Sequence, residues 1–263
     1  ATISSVSHFS ETSLIKELNR MKREWYKRAY TAVYNKLIDL PHMHSRAAWL
    51  CSSNFAGSGR WLLKRGGWHL PYRLTPAQFT DAIRLRLLLP PLGNFFATGL
   101  GANCYCQANL QAEPFHMLDC IQCLRQENQG RHDGIAKELG VFIKSCRPTA
   151  DIRFEESIPS ANGQCKADLV VRLGNLRYVL DITVCEPGAR TYRQAGSMTR
   201  PLAAACVREL QKRNTYNSVP NLVAFPVTAD RPLPADQPPY EFIPFVIEAT
   251  GRLGYAAQHF VNW

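Results

Sequence analysis

Apolar side chains recur at Leu14, Leu18, Met21, Trp25, Ala29, Val33 and Leu37, the spacing of one face of a helix. Lys16, Arg20, Lys22, Arg23, Lys27 and Arg28 fall on the other faces, so residues 11–40 predict a basic amphipathic helix. Thr75-Pro76-Ala77-Gln78 has the form of a capping box with proline in the first turn, and the helix it opens must stop at Pro90-Pro91. Beyond residue 131 the pattern changes. It predicts a helix at 131–145, a strand at 152–157, a hairpin at 165–185, a long helix at 194–214 and a strand at 221–227. A Pro-rich loop at 232–239 and a strand at 242–249 follow. Mixed strands with flanking helices predict an α/β layer architecture. The chain then divides into a basic helical region (1–100), a cysteine- and histidine-bearing segment expected to be a zinc knuckle (101–130) and an α/β domain (131–263).

The hairpin carries the most information. Two alternating β-rich runs, Cys165 to Leu173 and Leu176 to Val184, are joined by Gly174-Asn175, a two-residue turn signal. Counting back from that turn pairs Leu173 with Leu176, Leu169 with Leu180, and Asp168 with Asp181. The two aspartates are therefore expected opposite each other with Cβ atoms ~4.5–5.5 Å apart. Leu169, Val171, Leu173, Leu176, Tyr178, Leu180 and Ile182 form the other, core-facing side. Like charges directly opposed are destabilising, so the pair calls for a cation. Hard oxygen ligands suit Mg2+, which activates water and stabilises the charge that develops on a phosphodiester. The same register sets Lys166 against Thr183, where an ammonium would hold a water or a phosphate.

Composition narrows the class. Over 263 residues the net charge is +10 and 46% of side chains are hydrophobic, a folded chain with no apolar run of the ~18 residues a membrane helix needs. No secretion signal opens the sequence, and the first residue is Ala, as expected of a piece of a longer polypeptide. The charge is uneven: residues 1–100 hold 14 Lys and Arg against 5 Asp and Glu. A basic region beside a near-neutral one points to a polyanion, with nucleic acid the leading partner. Arg60, Lys64 and Arg65, interleaved with Trp61 and Trp68, suit stacking on a single strand or RNA; a helical core is the other use of those tryptophans. The nine cysteines are odd in number and cluster at 104–123, which favours a metal site over a disulfide framework and a reducing, intracellular setting. Cys104-x-Cys106-x9-His116-x3-Cys120 offers four soft or borderline ligands to a structural Zn2+, with Cys123 the alternative to Cys120.

Taken in order, the Cys/Cys/His/Cys knuckle, Arg131-His132-Asp133, Ala167-Asp168, Leu180-Asp181-Ile182-Thr183-Val184 and Lys212-x3-Tyr216 resemble the restriction-like endonuclease of early-branching non-LTR retrotransposons. That domain is a member of the PD-(D/E)xK nuclease superfamily, and the likeness spans residues 75–255. The resemblance implies a restriction-endonuclease-like mixed sheet and a nuclear, Mg2+-dependent DNA endonuclease. Such an enzyme nicks double-stranded target DNA so that the freed 3′-hydroxyl primes reverse transcription. The polymerase would lie outside this chain, and element RNA would be a further partner. Asp168 and Asp181 match the family's two acidic residues. Lys212 matches its lysine, with Tyr216 one turn on, and Glu138 is a candidate for an additional acid from the preceding helix. Arg131, His132 and Tyr216, with Lys22, Arg23, Lys27, Arg28, Lys64 and Arg65, are the expected nucleic-acid contacts. Ala167 stands where the family has Pro and Thr183 where a D-x-K lysine would stand. For the catalytic lysine, the hairpin register favours Lys166 and the family pattern favours Lys212. A nuclease fold without activity, serving as a zinc-containing nucleic-acid-binding module, is the alternative function.

Overall fold

The computed structural model describes residues 11–54, 76–86, 106–109, 116, 120–160, 163–217, 219, 222–224 and 240–262. Helices α1 (Glu11–Ile38), α2 (His44–Ser53) and α3 (Pro76–Arg86) precede α4 (Ile121–Cys146). Strands β1 (Asp151–Ser160), β2 (Gly163–Leu173) and β3 (Leu176–Cys185) follow as a meander. Helices α5 (Arg190–Gln194) and α6 (Ala203–Tyr216) lead to β4 (Leu222–Ala224), β5 (Tyr240–Glu248) and α7 (Tyr255–Asn262).

The strands form one mixed sheet in the order β1-β2-β3-β5-β4. β1, β2 and β3 are antiparallel neighbours, whereas β5 runs parallel to both β3 and β4. A parallel neighbour requires a crossover, and α5 and α6 lie between β3 and β5 in the chain.

Helices cover both faces of the sheet. On one, Ala136, Leu139 and Ile143 of α4 and Ala256, Ala257 and Phe260 of α7 pack on Leu169, Val171, Tyr178, Leu180, Ile182, Ile243 and Phe245. This is the strip expected from the hairpin pattern, except that Leu176 at the turn is exposed. On the other face, Tyr216 packs on Val170, Val179 and Phe242, while Ala204 and Ala205 pack on Cys185 and Val246. Gly140 lets α4 lie close to β1: a Cβ there would come within 2.9 Å of the Phe154 ring.

Several expected boundaries move. The helix expected at 131–145 begins at Ile121, so it crosses the expected domain boundary at residue 130. The helix expected at 194–214 begins only at Ala203, because Gly196 (φ +91°), Pro201 and Leu202 (φ +64°) turn the chain between the end of α5 at Gln194 and the start of α6. α2 and α7 have no counterpart in the sequence pattern. α2 is seated on the sheet domain, with Ala47, Ala48 and Trp49 buried. Its Trp49 indole donates to Glu186 and its Ser52 hydroxyl to Glu248. Trp49 is thus a core residue, while Trp25 on α1 is exposed. Trp61, Trp68, Arg60, Lys64 and Arg65, the Pro90-Pro91 stop and the 232–239 loop lie outside the described residues. Among the described residues, no helix is long and apolar enough to cross a membrane.

Candidate active site

The hairpin register is the one the turn dictates. Gly174 (φ +58°) turns the chain, and Leu173–Leu176 through Leu169–Leu180 are paired. There the β2–β3 ladder ends, one step before the aspartates. β2 continues with β1 as far as Ser160–Gly163, and β3 continues with β5 as far as Cys185–Glu248. The two strands fork, and the aspartates stand at the fork. Asp168 Oδ2 accepts the Ile182 N–H at 2.6 Å, replacing a main-chain acceptor with a carboxylate.

Asp168 of β2 and Asp181 of β3 line one cavity of about 280 Å³ together with His132, Ile182, Thr183, Val184, Arg208 and Lys212. Helices on either side complete it. α4 brings His132 to Asp168, with Nε2 2.9 Å from Oδ2, and Asp133 Oδ1 lies 3.1 Å from the other ring nitrogen. α6 brings Lys212, whose Nζ donates to Asp181 Oδ1 at 2.7 Å. Asp181 is buried, and Asp168 is partly open to solvent.

The electrostatics follow from that placement. Burial pushes the Asp181 carboxyl above the usual carboxylate range; Lys212 opposes this and the adjacent Asp168 reinforces it, leaving the net shift upward. For His132, burial acts downward, but its hydrogen bonds to Asp168 and Asp133 outweigh it and raise the imidazole. The fork therefore concentrates two carboxylates where one resists ionisation, an arrangement that an added cation relieves.

Some expected residues lie elsewhere. Lys166 does not face Thr183, because the ladder has already parted; it pairs with Glu155 of β1 at 2.7 Å on the exposed surface. Glu138 is exposed and does not line the cavity. It lies six residues beyond His132, which on a helix is a rotation of about 240° away from the side that meets Asp168. Tyr216, expected at a nucleic-acid surface, is a core residue instead. Its ring is buried against Phe242 and its hydroxyl donates to the Lys166 carbonyl at 3.1 Å. Arg131 lies on α4 next to His132. Lys22, Arg23, Lys27 and Arg28 are exposed along α1. His132, expected as a DNA contact, bonds directly to the candidate metal ligand Asp168. Sequence reasoning misses Arg208, although its position four residues before Lys212 puts both on one face of a helix.

Cys106, His116 and Cys120 come together as a group able to hold a metal ion. Their ligand atoms all lie within 4.8 Å of one another, and Cys106 Sγ is 2.8 Å from His116 Nε2. Cys104, the expected fourth ligand, lies outside the described residues. The chain matches no protein-family model, and no curated protein matches it either.

Proposed function

We propose that the chain is the restriction-like endonuclease part of a non-LTR retrotransposon protein, hydrolysing a DNA phosphodiester with Mg2+. One observation carries this reading: two carboxylates from forking strands share a cavity with a lysine from the crossover helix. Hard oxygen donors, one of them raised in pKa by burial and by its neighbour, are a donor set that fits Mg2+ with retained waters.

Asp168 and Asp181 would hold the ion, which when bound supplies Lewis-acid charge and an acidified water. The chain's own groups do the positioning. His132 and the Ile182 N–H both fix Asp168 Oδ2, so the orientation of that carboxylate is set before substrate arrives. Lys212 adds a positive charge beside Asp181, where the negative charge of a pentacovalent phosphate would grow. The fold is read as restriction-endonuclease-like on the same grounds, with the helix-flanked mixed sheet as its support.

Zn2+ is the proposed occupant of the Cys106, His116 and Cys120 group, since thiolate and imidazole are its preferred ligands, and with Cys104 as the proposed fourth ligand the site would be structural, with no place for a reacting water. The polymerase that would use the nick lies outside this chain. The target is double-stranded DNA in the nucleus, with element RNA a further partner.

The test is supercoiled plasmid with and without Mg2+, beside Asp168→Ala. Relaxation that requires Mg2+ and disappears in the variant is expected. Plasmid that stays supercoiled while still bound would leave only the alternative, an inactive binding module.

The exposed cations of α1 are proposed phosphate partners that position the duplex without reading sequence. Replacing Lys22, Arg23, Lys27 and Arg28 with Gln is expected to flatten the dependence of log affinity on log salt by roughly 0.9 for each phosphate no longer neutralised. An unchanged slope in an electrophoretic or anisotropy titration would remove α1 from the interface.

A further inference from the structure

α6 presents two cations to the cavity, Arg208 and Lys212, one helical turn apart. Their surroundings differ. Lys212 is held by Asp181 at 2.7 Å. Arg208 has no carboxylate within ion-pair distance among the described residues; it donates from Nη1 to the neutral Gln211 Oε1 at 3.0 Å. Its Nε is shut off from solvent and has no hydrogen-bond acceptor among the described residues. A guanidinium N–H taken out of water with nothing to bond is costly; this one is enclosed, so the outer nitrogens of Arg208, a residue that lines the cavity, are the donors an occupant would meet. Thr183 of β3 also lines the cavity.

The kind of partner that suits Arg208 follows from charge and shape. The nearby carboxylates are engaged elsewhere, Asp181 by Lys212 and Asp168 by His132 and Ile182. The acceptor that suits it is therefore an incoming anion. A planar fork of N–H donors matches an oxyanion with two or more oxygens, and arginine is the residue suited to bidentate phosphate recognition.

We propose that Arg208 binds a non-bridging oxygen of the phosphodiester at the cavity. This rests on the nuclease reading of the site for its substrate but not for its anion. Lys212 and Arg208 then divide the work of α6. Lys212, held on Asp181, supplies charge where the transition state grows negative, and Arg208 holds the phosphate as it arrives.

The probe is thymidine 3′,5′-bisphosphate in the presence of Ca2+, titrated calorimetrically into the wild-type chain, Arg208→Gln and Arg208→Lys, alongside plasmid nicking in Mg2+. Arg208→Gln is expected to weaken bisphosphate binding about tenfold or more and to slow nicking by ~100-fold, the scale for removing one preorganised donor to a developing oxyanion. Arg208→Lys, which keeps the charge but not the fork, is expected to fall between the two. Wild-type affinity in Arg208→Gln with a lowered melting temperature would overturn the proposal and make Arg208 a residue that holds α6. No bisphosphate binding by the wild-type chain overturns it as well. Should Arg208→Gln fail to fold, Arg208→Lys decides in the same terms. A wild-type chain that does not nick but binds bisphosphate through Arg208 defeats the nuclease reading and keeps the phosphate site. Equal nicking by wild type and Arg208→Gln does the reverse.

Discussion

Asp181→Asn is expected to abolish Mg2+-dependent nicking and yet leave the chain at least as stable at neutral pH. Burial is the first cause of the upward shift of the Asp181 carboxyl, and Asp168 reinforces it against Lys212. An acid whose folded pKa lies above its unfolded value of ~3.9 favours the fold at low pH, and that advantage is lost as pH rises through the raised value. At pH 7 the ionised side chain therefore works against folding, and a neutral amide of nearly the same shape removes the penalty. Catalysis needs the charge that stability would discard. Removing the carboxylate should lower nicking by about 10³-fold or more, comparable to deleting a strong preorganised electrostatic group. Lys212 is left without its carboxylate in this variant, but it is partly exposed and can reach water. Thermal melting in chelator at pH 7, set beside plasmid nicking, measures both effects. A large drop in melting temperature would show that Asp181 anchors Lys212 as a structural ion pair, and retained nicking would show that it does not ligate the ion.

Phe242→Ala is expected to cost ~3–5 kcal/mol, the usual range for emptying a buried aromatic site. That is a large share of the ~5–15 kcal/mol that holds a domain folded. Phe242 is buried on β5, and its ring stacks on Tyr216 with centroids 4.2 Å apart and planes at 22°. Tyr216 ends α6 one turn past Lys212, so this stack pins the helix that presents both cavity cations. Activity should fall further than the unfolded fraction explains. Phe260→Ala supplies the comparison. Phe260 of α7 is buried on the opposite face, edge-on to Tyr178 and Phe245. Its truncation should destabilise to a similar degree while the remaining folded molecules nick at the wild-type rate. Chemical denaturation and nicking rates corrected for folded fraction test the pair. Equal specific activity in the two variants would mean that α6 keeps its place without the stack.

The hairpin is legible because its logic is local: a two-residue turn fixes the register, and the period of two fixes the face, so Asp168 and Asp181 can be set together by counting. The point where counting fails is the fork, because each strand is also held along its other edge, β2 by β1 and β3 by β5, and a local turn signal says nothing about those pairings. The β5 residues that pair with β3 lie more than sixty positions later in the chain, as with Asp181 and Pro244. Lys166 shows the effect, since the step of ladder that would have set it against Thr183 does not form. Glu138 shows a different limit. The preceding helix is visible in the sequence, but which of its residues meets Asp168 depends on the helix's rotation about its axis, set by Ala136, Leu139 and Ile143 packing on the sheet. Tyr216 stands where the sequence resemblance placed it, but aromatic residues at a helix end look the same in sequence whether they face a ligand or the core. Arg208 is readable in principle from its spacing to Lys212, and only its lack of an acidic partner among the described residues marks it as distinct.

Because the Ile182 N–H donates its hydrogen bond to the Asp168 carboxylate of β2 and not to a main-chain carbonyl, the molecule carries an intrinsic spectroscopic reporter. Any event that protonates, reorients or loads that oxygen must shift the nitrogen resonance and exchange rate of one main-chain amide, with no label attached to the cleft.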